Sequence, residues 1–202
     1  IAEDLLFAAE TPVEAAEAEI LDKLGDRVVI KPLSQGSAIG VTPIANGGDL
    51  KEGLQTALAL GDGILIEPYV LGREITVGVL DLHGEAARPF PVIEIRTASD
   101  EWYDYTNRYA AGGSEHVIPA PMPDQLTAEL QSIAVAAHKA LGLRDLSRAD
   151  FIVTDSDEIV LLEVNTLPGM TPTSLYPDGA AAIGLSFEAL VDALVKSALA
   201  RR

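Results

Sequence analysis

The segment from Arg148 to Asn165, RADFIVTDSDEIVLLEVN, decides how the rear half of this chain folds. Polar and apolar residues alternate over residues 148–154 and again over residues 158–165, which predicts two β-strands. Only three polar residues separate the two runs, so the strands should form a hairpin. We expect a loop of two or four residues, centred between Ser156 and Asp157.

This register brings charged side chains together on one face of the hairpin. Asp150 is set opposite Glu163, and Arg148 opposite Asn165. Like charges directly opposite each other destabilise a sheet, so two facing carboxylates beside an amide oxygen indicate a bound cation. Oxygen ligands suit Mg²⁺, usually held together with substrate phosphates. The alternative is a solvated hairpin face, but that would not explain the specific loop that follows, residues 166–175 (TLPGMTPTSL).

Composition excludes several classes of protein. The 202 residues allow one large or two small domains, and 48% are hydrophobic, which favours a buried core over disorder. A net charge of −17 argues against a nucleic-acid partner. No cysteine is present, which excludes thiolate chemistry, and no apolar run reaches the about 18 residues of a membrane span. With no visible signal peptide, a cytoplasmic location is the default expectation.

The order of the predicted elements favours an α+β fold. Many strands neighbour one another as hairpins, unlike the strands of a doubly wound parallel sheet. A long polar loop over about residues 97–123 is typical of a functional lid. The chain opens at Ile1 in an acidic, alanine-rich segment, so we expect it to be the rear part of a longer protein.

A lysine and a glycine-serine loop form a candidate phosphate site. Lys31 ends a β-run just before Pro32 and the loop from Ser34 to Gly40. A lysine there can bind a phosphate as a point charge, and glycines let backbone N–H groups approach it. The G-x-x-x-x-G-K-[ST] order of a Walker A loop is absent. Because such turns also follow strands without any ligand, the pattern alone leaves both readings open.

Two glutamates form a candidate nucleoside site. Glu67 precedes Pro68, Tyr69 and Val70, and Glu74 follows, so acceptors for a base amino group and ribose hydroxyls lie close in sequence. The alternative is a pair of exposed glutamates that flank a turn.

Two lid residues and three histidines complete the candidates. Trp102 can stack on a purine or cover the core, and Arg108 can meet a phosphate or solvent. His83, His116 and His138 are scattered along the chain, so we predict no histidine metal cluster and assign them no role.

Several of these motifs, taken in order, resemble the D-alanine–D-alanine ligases, an ATP-grasp family. The resemblance runs over residues 26–195 and is carried by VIKP (29–32), QGS (35–37), IEPYVLGREITV (66–77), WYDY (102–105), RAD (148–150) and LEVNTLPGMTPTSL (162–175). It implies two lobes with antiparallel-rich sheets that clamp the nucleotide. The central subdomain would span residues 1–68, and the C-terminal subdomain residues 69–202 with the lid.

The resemblance also implies a role for each candidate residue. The implied ATP-binding residues are Lys31 and Arg108 for phosphates, Glu67, Pro68, Tyr69 and Val70 for adenine, Glu74 for ribose, and Trp102, Ile152 and Leu162 for the base pocket. The implied ligands of Mg²⁺ or Mn²⁺ are Asp150, Glu163 and Asn165. The implied catalytic groups are Arg148 and the Gly169 N–H at an oxyanion, Ser37 in the closing loop, and Tyr109, which would hydrogen-bond Ser37. Ser174 and Leu175 would hold the carboxylate of the second D-alanine.

The implied activity is ATP-dependent ligation of two D-alanines through an acylphosphate, for peptidoglycan precursors. The alternatives are a D-Ala–D-lactate or D-Ala–D-Ser ligase, or a nucleotide-binding fragment without turnover. Three residues depart from the family: Pro68 and Arg108 stand where lysine is common, and Ala38 where a second serine is common. Family members also carry an N-terminal domain, with a glutamate for the first D-alanine and a further phosphate-binding lysine. We therefore expect this chain alone to be inactive, and a homodimer stays open.

Overall fold

The computed structural model of the chain describes residues 3–34, 36, 38–45, 49–61, 63–97 and 114–201. These residues divide into two compact units, with the boundary between Val70 and Leu71. The predicted division after Pro68 lies at the end of the last strand before this boundary.

The first unit contains one antiparallel sheet and two helices. Its strands are β1 (Leu5–Phe7), β2 (Val28–Pro32), β3 (Thr42–Ile44) and β4 (Ile64–Pro68), in the order β1-β4-β2-β3. Its helices are α1 (Val13–Lys23) and α2 (Leu50–Leu58). Val28 and Ile30 pack with both helices. Because side chains alternate along a strand, Val29 and Lys31 lie on the opposite face.

The second unit contains a larger antiparallel sheet. Its strands are β5 (Arg73–Asp81), β6 (Arg88–Pro89), β7 (Ile93–Thr97), β8 (Ser114–Val117), β9 (Asp145–Val153) and β10 (Ile159–Asn165). The order is β10-β9-β5-β7-β8, and β6 pairs with β5. Its helices are α3 (Asp124–Ala140), α4 (Leu175–Ala182) and α5 (Phe187–Ala200).

The two faces of this second sheet differ. Ile75, Val77, Ala149 and Phe151 pack against α3. The alternate residues of the same strands therefore face the other way. There Leu80 joins a second core cluster with Phe90, Tyr176, Ala180 and Leu190, the last three from α4 and α5.

Helix α4 is seated closely on β5. A Cβ at Gly78 would lie 2.5 Å from a ring carbon of Phe90, and one at Gly179 would lie 3.1 Å from the same ring. The Tyr176 hydroxyl donates to the Val79 carbonyl at 2.9 Å. Two glycines and one buried hydroxyl thus fix the position of α4 on the sheet.

The loop predicted over about residues 97–123 contains a short strand near its carboxyl end. Residues 114–117 form β8, which pairs with β7 through Glu94 opposite Val117 and Arg96 opposite Glu115. The sequence SEHV has little alternation, and its strand conformation comes from pairing with β7. Among the described helices, none has both the length and the apolar character needed to cross a bilayer.

Candidate functional site

The hairpin of β9 and β10 has the predicted pairs at its site but not the predicted turn. Asp150 lies opposite Glu163, and Arg148 lies opposite Asn165, as the sequence predicts. The turn is a three-residue loop, residues 155–157, because the Thr154 N–H donates to the Glu158 carbonyl at 3.0 Å. The predicted loop of two or four residues is therefore wrong.

A β-bulge restores the predicted register. The pairing shifts by one residue between Leu161 and Glu163. Leu161 and Val164 both pack in the cluster with α3, so Leu162 and Glu163 lie together on the opposite face. Strict alternation would have separated these two side chains. The bulge allows the residues predicted for the base pocket and for the metal to face the same side.

Asp150 is the centre of a hydrogen-bond network on this face. Arg148 donates to its carboxylate from Nε at 2.8 Å and from Nη2 at 2.7 Å. Thr76 donates to Oδ1 at 2.5 Å, and Asn165 donates to Oδ2 at 3.0 Å. Thr76 is fully buried on β5, opposite Asp150. Sequence reasoning missed it, because its role depends on the pairing of β5 with β9.

The amide of Asn165 lies between the two facing carboxylates. Its Nδ2 donates both to Asp150 and to Glu163 Oε1, the latter at 3.1 Å. The described residues contain no group of three or more His, Cys, Asp or Glu side chains placed to hold a metal ion. The predicted set instead has two carboxylates and one amide. Rotation of the amide would direct Oδ1 to the point between the carboxylates, and three oxygen donors there fit Mg²⁺.

The loop after β10 brings Gly169 beside Ser174. A Cβ on residue 169 would lie 2.8 Å from Ser174 Oγ, so a larger residue there would displace the Ser174 hydroxyl. Ser174 precedes the first residue of α4, and its Oγ accepts from the Thr171 N–H at 2.9 Å. Leu175, the first residue of α4, is buried. A hydroxyl and N–H groups at a helix N-terminus are suited to bind a carboxylate.

The predicted ribose and base residues are neighbours in the sheet. Glu74 on β5 lies opposite Ile152 on β9 and opposite Ile95 on β7. By strand alternation, Glu74 and Ile152 lie on the same face as Thr76 and Asp150.

In the first unit, Lys31 forms an ion pair with Glu67. Glu67 lies opposite Val29 on the face of the sheet away from the helices, diagonal to Lys31. The Glu67 residue is 6% exposed, so its reading as an exposed turn glutamate is wrong. A lysine predicted to bind phosphate and a glutamate predicted to bind adenine thus touch each other directly.

Tyr69, in the segment after Glu67, contacts Arg27, the residue before β2. The Tyr69 N–H donates to the Arg27 carbonyl at 2.9 Å, and the Arg27 guanidinium lies 5.8 Å from the centre of the Tyr69 ring. Pro68 and Val70 are half-buried on either side.

Four predicted site residues lie outside the described residues. They are Ser37, Trp102, Arg108 and Tyr109. Their proposed roles stay predictions.

Comparison with known proteins places these features in context. A profile of the family described as D-ala D-ala ligase C-terminus matches residues 6–196. The D-alanine–D-alanine ligase of Halalkalibacterium halodurans is 47% identical over 85% of this chain and 56% of its own length. That of Acidiphilium cryptum is 46% identical over 93% of this chain and 60% of its own length.

Solved structures give the same picture. The VanG D-Ala:D-Ser ligase from Enterococcus faecalis has a TM-score of 0.81 and 33% identity over 97% of this chain and 56% of its own. The D-alanine–D-alanine ligase from Bacillus anthracis complexed with ATP has a TM-score of 0.78 and 29% identity over 98% of this chain and 60% of its own. The chain therefore spans less than two thirds of the length of these relatives.

Proposed function

This chain belongs to the D-ala D-ala ligase C-terminus family, and on that premise we propose that it supplies the ATP- and metal-binding part of an ATP-dependent D-alanine–D-alanine ligase. The predicted α+β, ATP-grasp fold is confirmed by the likeness to the solved ligases. With ATP as its co-substrate, the proposed reaction would take place in the cytoplasm and feed peptidoglycan synthesis.

The observation that supports the proposal most is the Asp150 network. Two carboxylates face each other across β9 and β10 with the Asn165 amide between them. These three side chains would hold Mg²⁺ or Mn²⁺, and a bound divalent ion would neutralise phosphoryl oxygens of ATP. Thr76 and Arg148 would fix the orientation of the Asp150 carboxylate, since their donors hold both of its oxygens.

The proposed reaction has two steps. A carboxylate oxygen of the first D-alanine attacks the γ-phosphorus of ATP, and ADP leaves, so that an acylphosphate forms. The amine of the second D-alanine then attacks the acyl carbon, loses a proton, and displaces phosphate. Most of the catalytic effect would come from positioning and electrostatics.

The residues around the α4 N-terminus would serve the second step. The Ser174 hydroxyl and the Leu175 N–H would hold the carboxylate of the second D-alanine. The Gly169 N–H and the Arg148 guanidinium would donate to the oxyanion of the tetrahedral intermediate.

The roles of the candidate ATP-binding residues follow from the family resemblance. In the first unit, Glu67 would accept a hydrogen bond from the adenine amino group. Its ion pair with Lys31 would direct the lysine ammonium toward a phosphate of ATP. The backbone of Pro68, Tyr69 and Val70 would border the base. In the second unit, Glu74 would bind ribose, and Ile152 and Leu162 would line the base pocket. Trp102, Arg108, Ser37 and Tyr109 keep the roles that the family resemblance implies.

A second product class is supported by one comparison. The VanG structure named above is a D-Ala:D-Ser ligase and has a high structural similarity to this chain. The curated relatives carry the D-alanine–D-alanine name at higher identity, which favours the dipeptide D-Ala–D-Ala. D-lactate as second substrate and nucleotide binding without turnover are the remaining alternatives.

A competition experiment tests the proposal. The natural gene product that carries this chain is incubated with ATP, Mg²⁺ and equal amounts of D-alanine, D-serine and D-lactate, and the products are identified by mass spectrometry. We expect D-Ala–D-Ala to dominate, with one phosphate released per product. A dominant D-Ala–D-Ser or D-Ala–D-lactate product would show that the protein is a ligase of that product class instead. ATP binding without any product would support nucleotide binding alone.

A further inference from the structure

Helix α4 carries an acidic residue in the turn where a carboxylate is proposed to bind. Asp178 is four residues after Ser174, and its N–H donates to the Ser174 carbonyl at 3.3 Å. Residues four apart lie on the same side of a helix, about one turn or 5.4 Å along the axis. Asp178 stabilises the helix N-terminus by itself. It also repels any second carboxylate bound at that N-terminus.

His116 on β8 contacts this acid. Its Nδ1 lies 2.7 Å from Asp178 Oδ2, and the two side chains are 15% and 36% exposed. Strand β8 is an edge strand of the sheet, and the strands β9 and β10 separate it from α4 in the sequence. His116 lies opposite Ile95, which lies opposite Glu74. The histidine is therefore on the same face of the sheet as the proposed ribose and metal residues.

The charged side chains near His116 on β7 and β8 do not contact Asp178, because they lie on the other face of the sheet. Arg96 donates to Glu94, which also accepts from Arg73, and Glu94 lies on the α3 face of the sheet, beside Ile75. Glu115 is exposed and alternates with His116, so it points to the other face. In the described part of the chain, the hydrogen bond from His116 joins the Asp178 side chain to an element other than its own helix.

We propose that His116 and Asp178 form a positioning pair that sets the affinity of the ligase for its second, carboxylate-bearing substrate. Through its N–H, His116 withdraws negative charge from Asp178, so that a substrate carboxylate at Ser174 and Leu175 meets less repulsion. This inference rests on the proposed function, because it acts on the second D-alanine.

Three variants of the natural gene product test the inference. His116→Phe keeps a ring but removes the donor, Asp178→Asn removes the charge but keeps a polar partner, and the double variant combines both. Glu115→Gln is the matched control, since it removes a charge from the same strand on the opposite face. Phosphate release is measured against D-alanine and against ATP, and thermal unfolding of this chain shows whether each variant folds.

The expected pattern separates charge compensation from simple bracing. His116→Phe should raise KM for the second D-alanine by about threefold to tenfold, with kcat and the KM for ATP unchanged. Asp178→Asn alone should leave the KM for the second D-alanine equal to that of wild type or lower. The double variant should have a KM close to that of wild type, because the second substitution removes the charge that His116 no longer compensates. A rise in KM with Asp178→Asn alone, or no rise with His116→Phe, would overturn the inference while an active wild type still supports the ligase. An inactive wild type would overturn both.

Discussion

Replacement of Glu163 by glutamine separates two effects of the facing carboxylates, namely their mutual repulsion in the absence of metal and the stabilisation of the fold by bound Mg-ATP. Glutamine has the same size as glutamate and keeps an oxygen that can accept from Asn165, whose Nδ2 lies 3.1 Å from Glu163 Oε1. The Glu163 residue is exposed, so its replacement disturbs no core contact. The variant therefore removes one negative charge opposite Asp150 and little else.

The magnitude follows from two opposing terms. Without metal, relief of a like-charge cross-strand pair should stabilise the variant by about 0.2–1 kcal/mol. With Mg-ATP at about one hundred times its Kd, the wild type gains about 2.7 kcal/mol from ligand binding. For a chain of this size that gain corresponds to a rise in Tm of about 5–10 °C. The variant should show less than about 2 °C of that rise.

The assay is thermal unfolding of wild type, Glu163→Gln and the control Glu158→Gln, each in EDTA, in Mg²⁺ and in Mg-ATP. Glu158 is exposed beside the turn, and its hydrogen bonds to Thr154 use its backbone, which the substitution leaves unchanged, so its variant should behave as wild type. A Glu163→Gln protein that Mg-ATP stabilises as strongly as wild type would refute the assignment of the metal to this hairpin.

The remaining predictions concern the supports of the site and the pH dependence of the fold. Thr76→Val keeps the shape of the side chain but removes the donor to Asp150, and should weaken Mg²⁺ binding in the presence of ATP by about 10–100-fold, measured from the Mg²⁺ dependence of the thermal shift. Glu67→Gln weakens the ion pair with its lysine partner, and urea unfolding should show a loss of about 1–3 kcal/mol. Arg73 hydrogen-bonds Glu94 and lowers the pKa of that carboxyl below its ordinary value. The resulting stability is present above about pH 4.3 and lost as the pH falls further, so Glu94→Gln should unfold with a flatter pH dependence between about pH 5 and pH 3 than wild type.

The alternation pattern correctly predicted that Asp150 lies opposite Glu163 and Arg148 opposite Asn165 in the β9–β10 hairpin, although the loop that was assumed in that prediction was wrong. We expected an even-numbered loop, whereas a three-residue loop with Asp157 at φ 62° forms the turn. The three-residue loop shifts the register by one residue from the predicted one, and the bulge at Leu162 shifts it back. Both features are set by backbone conformation, to which an alternation pattern is blind.

Contacts between distant strands were beyond the sequence. Lys31 and Glu67 were predicted as separate ligand contacts, yet they meet because β2 pairs with β4. Thr76 reaches Asp150 because β5 pairs with β9, a pairing between residues far apart in the chain. His116 was given no role, since its partner Asp178 belongs to a helix on the same sheet face. Partner choice of this kind depends on sheet order, which no local pattern encodes.

The most direct test of the metal-dependent ligase account is an anomalous diffraction measurement on crystals of this chain grown with ATP and Mn²⁺. We predict an anomalous peak on the β9–β10 hairpin, about 2.0–2.2 Å from carboxylate oxygens of Asp150 and Glu163 and from Oδ1 of Asn165, with phosphate oxygens completing the coordination. Nucleotide density with manganese bound away from these three side chains would contradict the account.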